Sequence, residues 1–193
     1  MLVFILTLGV FSIINTEMGV IGILPLIAST YGVNISTAGL LVSLFALAVA
    51  ISGPTLPLLL SRFNRKYIMI MVLAVFCICN VISAFATNFN VVLITRVLPA
   101  FLHPVYVSLA FAVASSTVDK TNIPKAIAKV MVGVSAGMVL GVPVVSYIAS
   151  ITSLEIAMLF FALVNGIALL VTIIFFLLCL LKIVYLMEHN FVF

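Results

Sequence analysis

The chain holds six stretches long and apolar enough to cross a membrane, and little else. A helix needs about 20 apolar residues to cross the hydrocarbon core. Such runs fall near 2–28, 37–60, 67–86, 91–114, 127–150 and 156–181. Between them lie "STYGVNIS", "SRFNRK", "TNFN", "SSTVDKTNIPKA" and "ITSLE". Of 193 residues, 66% are hydrophobic and 6% charged, whereas a soluble domain carries about 25% charged residues. A soluble fold with so few charges has nothing to cover its surface, and disorder needs the opposite composition. The sequence therefore predicts an all-α membrane protein of six transmembrane helices over residues 1–181, with a short cytoplasmic tail at 182–193.

The breaks alternate in charge. The second contains Arg62, Arg65 and Lys66; the fourth contains Asp119, Lys120 and Lys125, with Lys129 just beyond, and Lys182 follows the sixth run. The first, third and fifth breaks contain no Lys or Arg. Seven of the eight basic residues thus fall on one side, and the eighth, Arg96, falls within a run. Basic residues concentrate on the cytoplasmic side of membrane proteins, so both termini are expected in the cytoplasm of a cell-membrane protein. The net charge of +4 then reflects topology, and no nucleic-acid partner is implied. The first run lacks the basic start of a signal peptide, is too long for one, and is interrupted by Glu17, so it reads as a retained span.

Glu17, in "NTEMGVIGILP", and Arg96 are the charges inside these runs. Each costs about 2.5–3.5 kcal/mol at a helix centre, and such residues usually mark pathways or proton relays. Glu17 lies eleven residues (17 to 28) from the outer end of its run, or about 16 Å at 1.5 Å per residue. Arg96 lies five residues (91 to 96) into the fourth run, about 8 Å deep by the same rise. Both sit in the outer half, close enough in depth for contact to be possible. His103 follows Arg96 by two turns and faces the same way, with Pro99 and Pro104 expected to kink the helix. For His103, a buried histidine bonded to a neighbouring span stands beside a binding or proton role. Asn15 is grouped with these as a candidate cavity residue, although Asn15, Asn80 and Asn165 can simply bond across helices.

Other features carry less. Cys77, Cys79 and Cys179 lie in apolar runs without metal-ligand spacing. Glu155 stands at the start of the sixth run, where a helix N-terminus favours an acid. Tyr31, Tyr67 and Tyr147 fall near run ends, as interfacial anchors do. No paired aspartates, Ser/His/Asp set or H-E-x-x-H occurs in the spans, which disfavours an intramembrane enzyme. Gly133, Gly137 and Gly141 recur every fourth residue in "GVSAGMVLGVP", followed by Pro143, a small-residue stripe that admits a close helix neighbour.

Four stretches in order resemble the major facilitator superfamily, specifically its proton-coupled drug and sugar efflux group. "NTEMGVIGILPLIA" is similar to that group's first-span signature, with Glu17 at its acidic position. "SRFNRK" resembles the loop motif G-x-L-a-D-R-x-G-R-K through Arg62, Arg65 and Lys66, with Ser61 where the family usually has Asp, Asn64 for Gly, and Pro57 at the first Gly. "TRVLPAFLHP" resembles the fourth-span motif, with Arg96 at the basic position and Ala100 replacing a common Gly. "GVSAGMVLGVP" resembles the antiporter motif of span five. Over about residues 1–176 the resemblance implies the N-terminal half of a twelve-span fold, each half built of 3+3 inverted repeats. It implies proton-coupled antiport of drugs, sugars or other small molecules, with no cofactor and with a second six-span half or homodimer as partner in the bilayer. The family's loop Asp helps latch the two halves, so Ser61 puts that latch in question. Because the pattern is lost abruptly after Phe176, a truncated gene product is expected, and a non-transporting fragment or helix-bundle partner is the alternative function.

Overall fold

A computed structural model describes residues 2–189, with side chains described to Leu178. Helix α1 (Leu2–Tyr31) crosses first and runs unbroken through Pro25. The second span is assembled from α2 (Ile35–Ala38), α3 (Leu40–Ser52) and α4 (Leu56–Leu60). It breaks at Gly53–Thr55 because Pro54 has no N–H to continue the ladder, and α4 restarts with Pro57 in its first turn. Then follow α5 (Arg65–Ala84), α6 (Phe89–Ala100), α7 (His103–Ser116), α8 (Ile123–Ile151) and α9 (Leu154–His189). Three starts share one device: the side-chain oxygens of Asn34, Asn64 and Asn88 accept from the backbone N–H groups of Thr37, Lys66 and Val91, satisfying donors that a helix leaves free at its N-terminus. α9 continues through Lys182 to His189, past the expected span end at 181. Residues 190–193 of the stretch read as a tail lie outside the described residues.

Six helical segments among the described residues are long and apolar enough to cross a membrane, in agreement with the six expected spans. The fourth is the pair α6–α7. Pro99 sits in the last turn of α6 and Pro104 in the first turn of α7, so the ladder lapses at Phe101–Leu102 between them.

Helix pairing follows a swap. The first span packs on the fifth (α1 on α8), the second on the fourth (α3 on α6), and the third on the sixth (α5 on α9). Exchanging spans one to three with spans four to six maps the first pairing onto the second and the third onto itself. That is the relation two inverted three-span repeats must obey.

α1 is the centre of the bundle, with 56% of its span buried. One apolar cluster gathers Leu6, Val10, Ile13, Phe76, Tyr106 and Val130, and another gathers Val20, Ile23, Leu41, Phe89 and Phe161. Asn15, Thr16 and Glu17 of α1 fall between the two, so the polar residues form a layer between apolar ones. α1 and α8 approach closely over their length. A Cβ on Gly133 would run into the Thr7 carbonyl, one on Gly137 would lie 2.8 Å from the Ile14 Cβ, and one on Gly141 would lie 3.3 Å from the Gly19 nitrogen. Hydrogen bonds close the seam near both ends: Thr7 Oγ1 donates to the Lys129 carbonyl at 3.1 Å and Ser146 Oγ to the Gly22 carbonyl at 3.2 Å. Pro143 lies on α8 with its ring exposed, away from this seam.

Because the seam leaves no room for a side chain, Gly137→Leu is expected to destabilise the bundle by about 1–3 kcal/mol, the usual range for overpacking. Gly166→Ala on α9, where a Cβ would meet only the Cys77 Sγ at 3.6 Å, serves as the mild control. Unfolding in mixed micelles measures both.

Candidate functional site

The polar layer is built by two spans, the fourth and the sixth, converging on α1. Thr16 Oγ1 donates to the Ser12 carbonyl within α1 at 3.0 Å. From α9, Asn165 Nδ2 donates to Thr16 Oγ1 at 2.7 Å and to the Phe161 carbonyl at 2.9 Å. From α6, Arg96 Nη2 donates to the Thr16 carbonyl, and its guanidinium lies 5.5 Å from the centre of the Phe161 ring, within the range of a cation–π attraction. Thr16 is thus gripped by Asn165 at its hydroxyl and by Arg96 at its carbonyl.

Glu17, the next residue, turns to the other side. Its Oε2 lies 3.2 Å from His103 Nε2, an ion-pair distance without the alignment of a hydrogen bond. The Phe45 ring of α3 meets the imidazole edge-on at 6.0 Å between centroids. Arg96 makes no ion pair with Glu17; among the described residues the one such pair is Glu17–His103. The ion pair between Glu17 and Arg96 left open by their depths is therefore not made. Arg96 is instead engaged one residue earlier on α1, by the Thr16 carbonyl.

Exposure separates the two cations. Arg96 is 4% exposed, whereas the Glu17 and His103 side chains are 22% and 12% exposed. Glu17 shares a stripe at four-residue intervals with Ile21 and Pro25, both exposed, so the pair borders an open face of α1 while Arg96 is sealed behind it. Several buried polar atoms at this level have no partner: Asn15 Nδ2, Arg96 Nε, His103 Nδ1 and Asn165 Oδ1. Unpaired buried groups are uncommon in native structures, and four at one level mark it as more than packing.

Arg62, Arg65 and Lys66 are at the opposite end of the molecule from Tyr31, on the turn into α5, with Arg62 and Arg65 exposed. Ser61, standing for the family's Asp, donates its hydroxyl to the Leu58 carbonyl at 2.6 Å and closes α4 locally. Asn80 Nδ2 is buried without a partner. Cys77 Sγ faces the Ala162 carbonyl of α9 at 3.5 Å, which places it in the α5–α9 contact; Cys179 lies outside the described side chains. Among the described residues no cluster of His, Cys, Asp or Glu is placed to hold a metal ion. Sequence reasoning passed over Thr16 and Phe161, whereas Asn165, expected to bond across helices, does so to Thr16. The signal was the hydroxyl adjacent to Glu17 together with the single amide in the sixth run.

Six crossing helices in two inverted triplets, with an acid, a base and a sealed cation at mid-bundle, define one six-span unit of a secondary transporter fold. The family model of the Major Facilitator Superfamily matches residues 6–182, and the chain belongs to that family of membrane transporters. It is 35% identical over 150 residues to the uncharacterized MFS-type transporter YfhI of Bacillus subtilis (strain 168), covering 78% of this chain and 38% of that one. It is 29% identical over 143 residues to a probable sugar efflux transporter of Helicobacter pylori (strain P12), covering 74% of this chain and 37% of that one. The chain thus spans less than two-fifths of the length of these relatives. The crystal structure of a bacterial homolog to the human lysosomal transporter Spinster, in an inward-facing and unoccupied conformation, shares the fold with a TM-score of 0.72 over 90% of this chain and 42% of that one, at 20% identity.

Asn165→Ala removes the grip on Thr16 Oγ1. It is expected to cost about 0.6 kcal/mol, the average for an interhelical hydrogen bond in a membrane, read by unfolding in micelles. Thr16→Val is expected to cost a similar amount, and the double variant less than the sum, because both remove the same bond.

Proposed function

We propose that this chain forms the N-terminal six-span half of a proton-coupled exporter, with its basic end in the cytoplasm, and that Glu17 with His103 is its proton switch. The observation that carries this reading is the 3.2 Å Glu17–His103 pair at an open face, in front of a sealed Arg96. With Arg96 positive, Glu17 ionised and His103 neutral, the three groups sum to zero. A proton arriving from outside neutralises Glu17, leaves the layer with net positive charge, and weakens the hold between α1 and α7. Proton loss to the cytoplasm restores the pair. Each proton moving inward supplies about 2.3 kcal/mol per 100 mV, which drives export of a second solute.

The junction at Phe101–Leu102 gives this exchange a mechanical outlet, since Pro99 and Pro104 thin the backbone ladder on either side of it and make it the place where α7 can pivot. The open stripe of Glu17, Ile21 and Pro25 is where a second six-span unit, a further half or a second copy, completes the cavity near the midplane, as in other transporters of this architecture. The sugar-efflux name of a relative and the apolar surroundings favour small organic solutes, drugs or sugars among them. In this reading the six-span unit does not transport by itself, and Arg62, Arg65 and Lys66 hold the cytoplasmic end.

The test is solute export from vesicles bearing an imposed proton gradient, with this chain co-reconstituted with a second six-span unit. Glu17→Gln is expected to cut export at least tenfold and abolish its response to the gradient. His103→Gln is expected to keep export while weakening its dependence on external pH. Gradient-driven export undiminished in Glu17→Gln overturns the switch.

A further inference from the structure

At the basic end of the bundle a cavity of 310 Å³ opens between α1, α5, α7 and α9. Its mouth carries Arg65 and Lys66, from the first turn of α5, and its floor is apolar, formed by Leu2 and Leu6 of α1, Met69 of α5 and Phe176 of α9. The Lys66 ammonium stands 5.3 Å from the centre of the Phe176 ring, so the cation leans over the apolar floor. Among the described residues neither cation is paired with a carboxylate and no acid lines the cavity. Asp119 borders a separate depression beyond it. Phe63 and Tyr67, on either side of the two basic residues, are 64% and 73% exposed, where aromatic rings mark the level of the headgroups.

We infer that this cavity is a binding site for one anionic phospholipid, its phosphate on Arg65 and Lys66 and the start of an acyl chain on the Leu2–Leu6–Met69–Phe176 floor. Two unpaired cations above a dry floor match a molecule that is negative at one end and apolar at the other. A soluble phosphate satisfies the mouth alone, and a zwitterionic lipid brings its own cation to two others. Basic pockets between spans on the cytoplasmic side recognise anionic headgroups in this way, and the orientation proposed above puts this end in that leaflet. The site lies on a different level from Glu17 and His103, and it stands whether or not they couple protons.

The test is native mass spectrometry of the full chain released from micelles containing equal amounts of phosphatidylglycerol and phosphatidylcholine with identical acyl chains. One phosphatidylglycerol is expected to remain bound with at least tenfold preference. The Arg65→Gln/Lys66→Gln variant is expected to bring the preference within twofold, while Lys125→Gln/Lys129→Gln, basic residues outside the cavity, keeps it. Leu2→Trp, which fills the floor and leaves the charges in place, is expected to lower retention tenfold, and it decides the matter should the double variant not fold. Equal retention of the two lipids, loss of preference in the Lys125/Lys129 variant, or displacement by millimolar glycerol phosphate overturns the inference. Solute export is not read at any point, so failure here is distinct from failure of the proton switch.

Discussion

The close seating of α1 against α8 is the constraint on which the rest of the bundle depends. Without Gly133, Gly137 and Gly141 the two helices would stand apart by the thickness of a side chain, and α1 would be withdrawn from α7 and α9. Its position is what lets Arg96 reach the Thr16 carbonyl and Asn165 the Thr16 hydroxyl. It also leaves Glu17, next in the chain, facing His103. In hydrocarbon there is no general hydrophobic attraction between helices, so close packing and a few interhelical hydrogen bonds must hold them. Here both act on the same helix, the glycine seam along its length and the polar grip at its middle.

The arrangement divides two tasks that a direct Glu17–Arg96 pair would merge. A guanidinium locked to a carboxylate in low dielectric forms a strong pair, and a strong pair resists protonation. Giving Arg96 a backbone carbonyl and the face of Phe161 keeps the cation in place while leaving the acid to the imidazole of His103. The acid and histidine sit at the open face, and the permanent charge sits behind them.

Much of the architecture was legible in the sequence, because span length and the side chosen by basic residues are one-dimensional properties. The six runs and their alternating breaks could be read without knowing any contact. The polar site was legible in part. Glu17, Arg96 and His103 stood out through the cost of placing them in lipid, but their pairing did not. Spacing put Arg96 and His103 on one helical stripe, but which of the two pairs with Glu17 is settled only by the tertiary contact. Asn165 was expected to bond across helices and does, but its partner Thr16 was not legible: hydroxyls and amides are tolerated in spans for many purposes, and only the tertiary contact shows that these two meet. Ser61 was readable as a departure from the family motif, whereas its bond to Leu58 depends on where α4 ends.

The central claim is that the carboxylate of the first span answers to the imidazole of the fourth rather than to its guanidinium. A double-mutant cycle on unfolding free energy in micelles, with Glu17→Gln, His103→Gln and their combination at a pH where both groups are partly charged, measures this directly. Contact at 3.2 Å predicts a coupling energy of at least about 0.5 kcal/mol, the lower end for residues in contact. Additive effects, with no coupling between the two positions, would contradict it.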